Sequence, residues 1–261
     1  MKALRLYFLL AFGIAWLFTI PLALSNVGLG WMQVDLSLPL FVVLSTAGPS
    51  LAALLTLRLT DHRWPYFRWP EPRPLLAGLL ASAVLVPFTF GALPAQVLTQ
   101  SPHWAAFATL SVFNYSTLIG GPLGEEPGWR GYALPRMQEI FGPARASILL
   151  GLIWASWHLP LFFCKGWITS PLIDYLGIIV GESILITFLF NFSRSSVIVA
   201  IIAHALFNTA SRWLGGLIGD GPMRDFVSPE RVLALSGLAV GGLLLLFTRG
   251  QLAYSKSTPP E

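Results

Sequence analysis

The chain has 261 residues, of which 55% are hydrophobic and 11% charged, against about 25% charged in an average soluble domain. So little charge cannot cover a water-facing surface, which excludes an ordinary soluble globular protein. The net charge of +4 does not point to nucleic acid, because the basic residues are scattered over short connecting segments and form no single patch.

The apolar residues come in runs long enough to cross a bilayer, so the expected fold is all-α: a polytopic transmembrane helical bundle of about eight spans. The first runs from near Leu6 to Ser25 and the second from near Leu36 to Leu59. Asp61 to Pro74 is rich in Trp, Pro and Arg and reads as an interfacial cytoplasmic loop or a short surface helix. The third span is Leu75 to Val97 and the fourth Trp104 to Leu123, followed by the polar cluster Glu125 to Arg145. Ala146 to Phe163, Leu172 to Phe192, Ser196 to Ile218 and Val232 to Phe247 complete the set. Residues 1–254 form one transmembrane domain, and 255–261 is a short polar tail. Lys2 and Arg5 before an apolar run also describe a secretory signal peptide, but this run exceeds the usual 7 to 15 apolar residues and is kept as a helix. The single cysteine, Cys164, rules out an intrachain disulfide and is expected to be inert.

With the amino terminus inside, 12 of the 16 Lys and Arg residues fall in cytoplasmic segments. This makes both termini cytoplasmic in a multi-pass protein, most simply of a prokaryotic cell membrane.

A charge at the bilayer centre costs on the order of 3 kcal/mol even on a lenient scale, so polar groups within spans need a reason. Glu125, Glu126 and Arg130 close the fourth span. Glu126 and Arg130, four apart, face each other as an ion pair, while Glu125 points about 100° away. Pro127 predicts a break or kink near Glu126. His158 lies roughly 18 Å into the fifth span at 1.5 Å per residue. His204 and Asn208 stack on one face of the seventh. Each feature alone also reads as a cap, a packing histidine or bundle-gluing hydrogen bonds.

Together they supply what water-driven peptide hydrolysis needs. A carboxylate polarises a water, an imidazole shares that task or protonates the leaving amine, and a His/Asn pair holds the oxyanion. No serine sits in a nucleophile-elbow motif. All of this requires the four side chains to share one wet pocket, expected to open to the cytosolic half of the bilayer.

The ordered set Glu125-Glu126-x-x-x-Arg130, Trp154-x-x-x-His158 and His204-x-x-x-Asn208 resembles the CPBP intramembrane proteases, which include type II CAAX prenyl endopeptidases and Abi proteins linked to bacteriocin processing or self-immunity. The resemblance implies that Glu125 and His158 activate water, that His204 and Asn208 form the oxyanion site, and that Glu126 and Arg130 support Glu125. Trp154 would line the substrate path, where the family more often has Phe. The implied partner is a hydrophobic, prenylated or membrane-tethered peptide in the lipid bilayer, with no nucleic acid. The family is often labelled metalloprotease, yet no HExxH helix pair is present, and the preferred reading has no tightly bound metal. A divalent ion such as Zn would need Glu125, His158 and His204 as ligands. Two other classes stay open: a non-catalytic scaffold or bacteriocin immunity protein using the same cavity, and a small proton-coupled transporter using Glu182, Asp174 and the histidines. Glu182, ten positions into the sixth span, has no assigned role, although it could pair with an arginine or bond His158.

Overall fold

The computed structural model describes residues 1–36, 39–61, 71–90, 121–218 and 228–255, and among these it contains helices and turns but no strand. Four segments are long and apolar enough to cross a membrane: α1 (Lys2–Leu24), α7 (Pro143–Trp157) continued by the 3₁₀ turn Leu159–Phe163, α8 (Leu172–Phe192) and α10 (Pro229–Phe247). Shorter apolar stretches lie in α4 (Pro72–Phe90) and α9 (Val197–Ile218). The chain is an integral membrane protein built as a helical bundle. Most of the fourth expected span, most of the Asp61 to Pro74 loop, the end of the third span beyond Phe90 and nearly all of the polar tail lie outside the described residues.

Helix α8 is the most enclosed of the four and packs between α7 and α10, with α9 alongside. Lipid gives helices no hydrophobic reason to associate, so close backbone approach through small residues has to do it. A Cβ on Gly181 would stand 2.5 Å from the carbonyl carbon of Gly237. Only glycine fits at position 181 of that crossing, and Gly241, one turn on from Gly237 in α10, meets Ile184 of α8.

The second expected span, Leu36 to Leu59, is not one helix. It breaks at Ala47 into α2 (Pro39–Thr46) and α3 (Gly48–Thr56) and then widens into a π-helical turn, Leu57–Asp61. Pro49 has no N–H to donate, and its ring crowds the carbonyl four residues earlier. The break is also held from outside, since the Ser50 hydroxyl donates to the Gly124 carbonyl at 2.5 Å. A Cβ on Gly124 would overlap the Thr46 carbonyl.

The polar cluster after the fourth run is itself helical: α5 (Pro122–Gly128), a π-helical turn Trp129–Ala133, and α6 (Leu134–Phe141). The break expected at Glu126 does not occur there. Helix α5 runs through Pro127, and the distortion falls in the π-helical turn beyond it, which accommodates the hydrogen bond that Pro127 cannot make. Helix α10 begins at Pro229 rather than at Val232, because Ser228 caps it by accepting from the Arg231 N–H at 3.3 Å.

The bundle has two polar ends. One holds the chain start, an Arg194–Glu71 ion pair at 2.7 Å, and a buried network in which Asn191 donates to Gln138 at 2.7 Å and to the Leu252 carbonyl at 3.0 Å. The other holds residues 25–36 and 164–171, tied together where the Lys165 N–H donates to the Val27 carbonyl at 2.8 Å. In a Cys164→Ala background, Thr169→Cys and Ser255→Cys are therefore expected to label from opposite sides of the membrane with an impermeant maleimide. If the termini are cytoplasmic, Thr169→Cys labels in intact cells and Ser255→Cys only after permeabilisation. Labelling of both from one side would contradict the fold, and a reversed pattern would contradict the orientation read from charge.

Candidate active site

Three helical faces present the same stripe to one cavity. From α7 and the following turn come Trp154, Trp157, His158 and Leu161; from α8, Tyr175, Ile178, Ile179 and Glu182; from α9, His204, Phe207, Asn208 and Ser211. Each set is spaced i, i+3, i+4, i+7, the repeat that keeps side chains on one side of a helix. Gly121 and Glu125 close the space from the start of α5, leaving a cavity of about 370 Å³.

Glu125 is 3% exposed, and its Oε2 accepts a hydrogen bond from the Trp154 indole Nε1 at 2.7 Å. Its other oxygen faces Gly121. A Cβ at that glycine would lie 3.5 Å from Glu125 Oε1 and 3.7 Å from Asn208 Nδ2. The absent side chain thus leaves open the space that the carboxylate and the amide share.

Glu126 sits behind the cavity wall. Its Oε1 accepts from Arg130 Nη1 at 2.8 Å, the pair expected from their spacing, and also from His204 Nδ1 at 2.9 Å. Glu126 and Arg130 are fully buried, and the Arg130 guanidinium lies 4.7 Å from the Trp154 ring centre. The adjacent carboxylates are therefore divided, with Glu125 turned into the cavity and Glu126 anchoring a cation and a histidine.

His158 owes its placement to the end of α7. Its backbone N–H bonds to the Ala155 carbonyl at 3.1 Å as the helix tightens toward Pro160. This leaves the Trp154 carbonyl for the His158 ring, whose Nδ1 donates to it at 2.9 Å. A carbonyl can only accept, so Nδ1 carries the proton and Nε2 is the nitrogen left to react in the neutral ring. The edges of Trp157 and Tyr175 flank the imidazole at 4.7 and 5.8 Å.

Glu125, His158, His204 and Asn208 all line this one cavity, while Glu126 and Arg130 lie directly behind it. Cys164 does not line it. That thiol is buried, which pushes its pKa up and disfavours a reactive thiolate. The cavity borders residues 167–170 and Glu230, at the end of the bundle opposite Met1. A mouth in the cytosolic half and cytoplasmic termini are therefore incompatible expectations for this fold, because a helix that starts at one face ends at the other. Among the described residues no three His, Cys, Asp or Glu side chains are grouped so as to hold a metal ion.

Sequence reasoning left Tyr175 unnoticed and Glu182 unassigned. The signal for both was available, since they bracket Ile178 and Ile179 on one face of α8. Neither partner considered for Glu182 engages its Oε1, which has no hydrogen-bond partner among the described residues.

Residues 106–210 match the family described as Type II CAAX prenyl endopeptidase Rce1-like. The resemblance to that family is real. The matched segment contains all three polar motifs and each of the four residues that meet in the cavity. The chain is also 30% identical over 142 residues to CAAX prenyl protease 2 of Methanococcus maripaludis. That match takes in 51% of this chain and 52% of the relative, so the chain spans about half the length of the curated protein it resembles.

Within the Rce1-like segment, Trp154 stands where the resemblance leads one to expect Phe, and the structure gives the indole a task that a phenyl ring cannot perform. Trp154→Phe is expected to remove the donor to Glu125 and lower kcat by about ten- to hundredfold, the worth of a hydrogen bond to a charged group. Unchanged kcat in steady-state kinetics would reduce Trp154 to packing.

Proposed function

We propose that the chain is an intramembrane endopeptidase that hydrolyses a peptide bond in a hydrophobic, prenylated or otherwise membrane-tethered substrate. One observation carries this reading: Glu125, His158, His204 and Asn208, from three separate chain segments, border a single cavity inside a membrane protein. The CAAX protease resemblance supplies the substrate class.

Glu125 takes a proton from a water in the cavity, with His158 Nε2 as the second acceptor. The hydroxide so formed attacks the scissile carbonyl carbon, and the electron pair moves to oxygen. Asn208 Nδ2–H donates to that oxyanion, as does His204 Nε2–H in the doubly protonated ring, whose Nδ1–H is held by Glu126. The C–N bond then breaks as the proton carried by Glu125 or His158 passes to the leaving nitrogen. Trp154 orients Glu125, and the Glu126–Arg130 pair holds Trp154 and His204 in place. No step calls on a metal.

The test compares the wild type with Glu125→Ala and His204→Ala on a panel of hydrophobic peptides in detergent, with and without a chelator. The expected result is cleavage by the wild type alone, unaffected by the chelator. Equal turnover by all three proteins would remove the enzyme reading and leave a scaffold or transporter. Loss of wild-type turnover on chelation would bring back a metal mechanism.

A further inference from the structure

The mechanism makes no use of Glu182, although it lines the same cavity, is 2% exposed and has a carboxylate oxygen without a hydrogen-bond partner among the described residues. An ionisable group so deep in a membrane protein has a function by default, and a buried carboxyl oxygen without a hydrogen bond is costly until a donor arrives. The neighbouring side chains indicate what that partner is. Between Tyr175 and Glu182, Ile178 and Ile179 form an apolar track about two helical turns long on the cavity side of α8. A long aliphatic stem would lie along that track with a cationic head at its end, because lysine and arginine bury their methylenes and keep only the tip polar. Besides the His204 ring, whose Nδ1–H is already taken by Glu126, the remaining charged residues that line the cavity among those described are Glu125 and Glu230, both acidic.

On this basis we infer that Glu182 is a specificity subsite for the ammonium or guanidinium of a substrate Lys or Arg side chain near the scissile bond. The inference rests on the peptidase reading and narrows its substrate class. The cleaved segment is hydrophobic but carries one basic residue, which pairs with Glu182 while the peptide carbonyl meets Glu125. Such a pairing favours one substrate over its neutral counterpart, since the neutral residue leaves the carboxylate buried and unpaired.

The experiment uses the full chain in detergent and a set of fluorogenic hydrophobic peptides. Members of each pair differ only by Lys against norleucine, scanned along positions around the scissile bond. Wild type is expected to favour Lys at one position by about ten- to hundredfold in kcat/KM, as for other hydrogen bonds to charged groups. Glu182→Gln abolishes that ratio and Glu182→Asp retains its direction. Because the readout is a ratio of two peptides, a general loss of activity cancels. A parallel arm measures binding of the same pairs to Glu125→Gln by fluorescence anisotropy, where Lys is again preferred and Glu182→Gln removes the preference. No Lys preference in the wild type, or one that survives Glu182→Gln, overturns the subsite. A Lys preference in binding without any cleavage would overturn the peptidase reading and leave the subsite standing.

Discussion

Glu125→Gln is expected to lower turnover of a hydrophobic peptide by about 10²- to 10⁴-fold, the usual contribution of a general base, with substrate affinity and thermal stability close to those of the wild type. Glutamine has the same shape, and its amide oxygen can still accept from Trp154 Nε1, so the local packing survives. What it lacks is a group able to take a proton from water. Among the described residues Glu125 forms no ion pair, unlike its neighbour Glu126, so losing its charge strands no buried cation among them. The separation of kcat from stability is the useful part of the result. His204→Ala, by contrast, removes both a cavity donor and a partner of Glu126, and would confuse the two. The measurement is kcat in steady-state hydrolysis beside a detergent melting curve. Retention of more than about a third of wild-type turnover would move the base elsewhere, with His158 first in line.

The cavity residues were legible because each is a polar group in an apolar helix, where the cost of burial makes it conspicuous. His204 and Asn208 could be put on one face from spacing alone, and the Glu126–Arg130 pair followed from the same arithmetic. Contacts between distant segments were not legible. Nothing in the chain says that His204 reaches Glu126 across 78 residues, or that Trp154 bonds a carboxylate 29 positions earlier. The break in the second span was hidden for a related reason. Gly48-Pro49 is a turn signal inside an otherwise apolar run of spanning length, but what holds the break is Ser50 meeting Gly124 from a segment 74 residues away. That the cavity borders residues 167–170 and Glu230, at the end of the bundle opposite Met1, was likewise not legible, because it depends on how connections far apart in the chain meet.

Arg130→Ala should be among the most damaging substitutions for folding, by about 3–5 kcal/mol, because it leaves the Glu126 carboxylate buried without its principal cation. One oxygen of Glu126 lacks a hydrogen-bond partner among the described residues, as do Nε and Nη2 of Arg130, so the pair is held through the single Nη1–Oε1 contact. Removing both charges together is a different case. In Glu126→Leu/Arg130→Met the cavity wall becomes apolar and of similar volume, and buried ion pairs replaced in this way are often neutral or more stable. The double variant should therefore unfold in a detergent–SDS titration close to the wild type. It should nonetheless be inactive, because two links to the chemistry disappear with the pair. His204 loses the acceptor that fixes its Nδ1–H, and Trp154 loses the guanidinium against its ring, so the donor to Glu125 is no longer held. A stable but inactive double variant would assign the ion pair to positioning rather than to the strength of the fold. A double variant that kept wild-type turnover would show that His204 and Trp154 find their places without it.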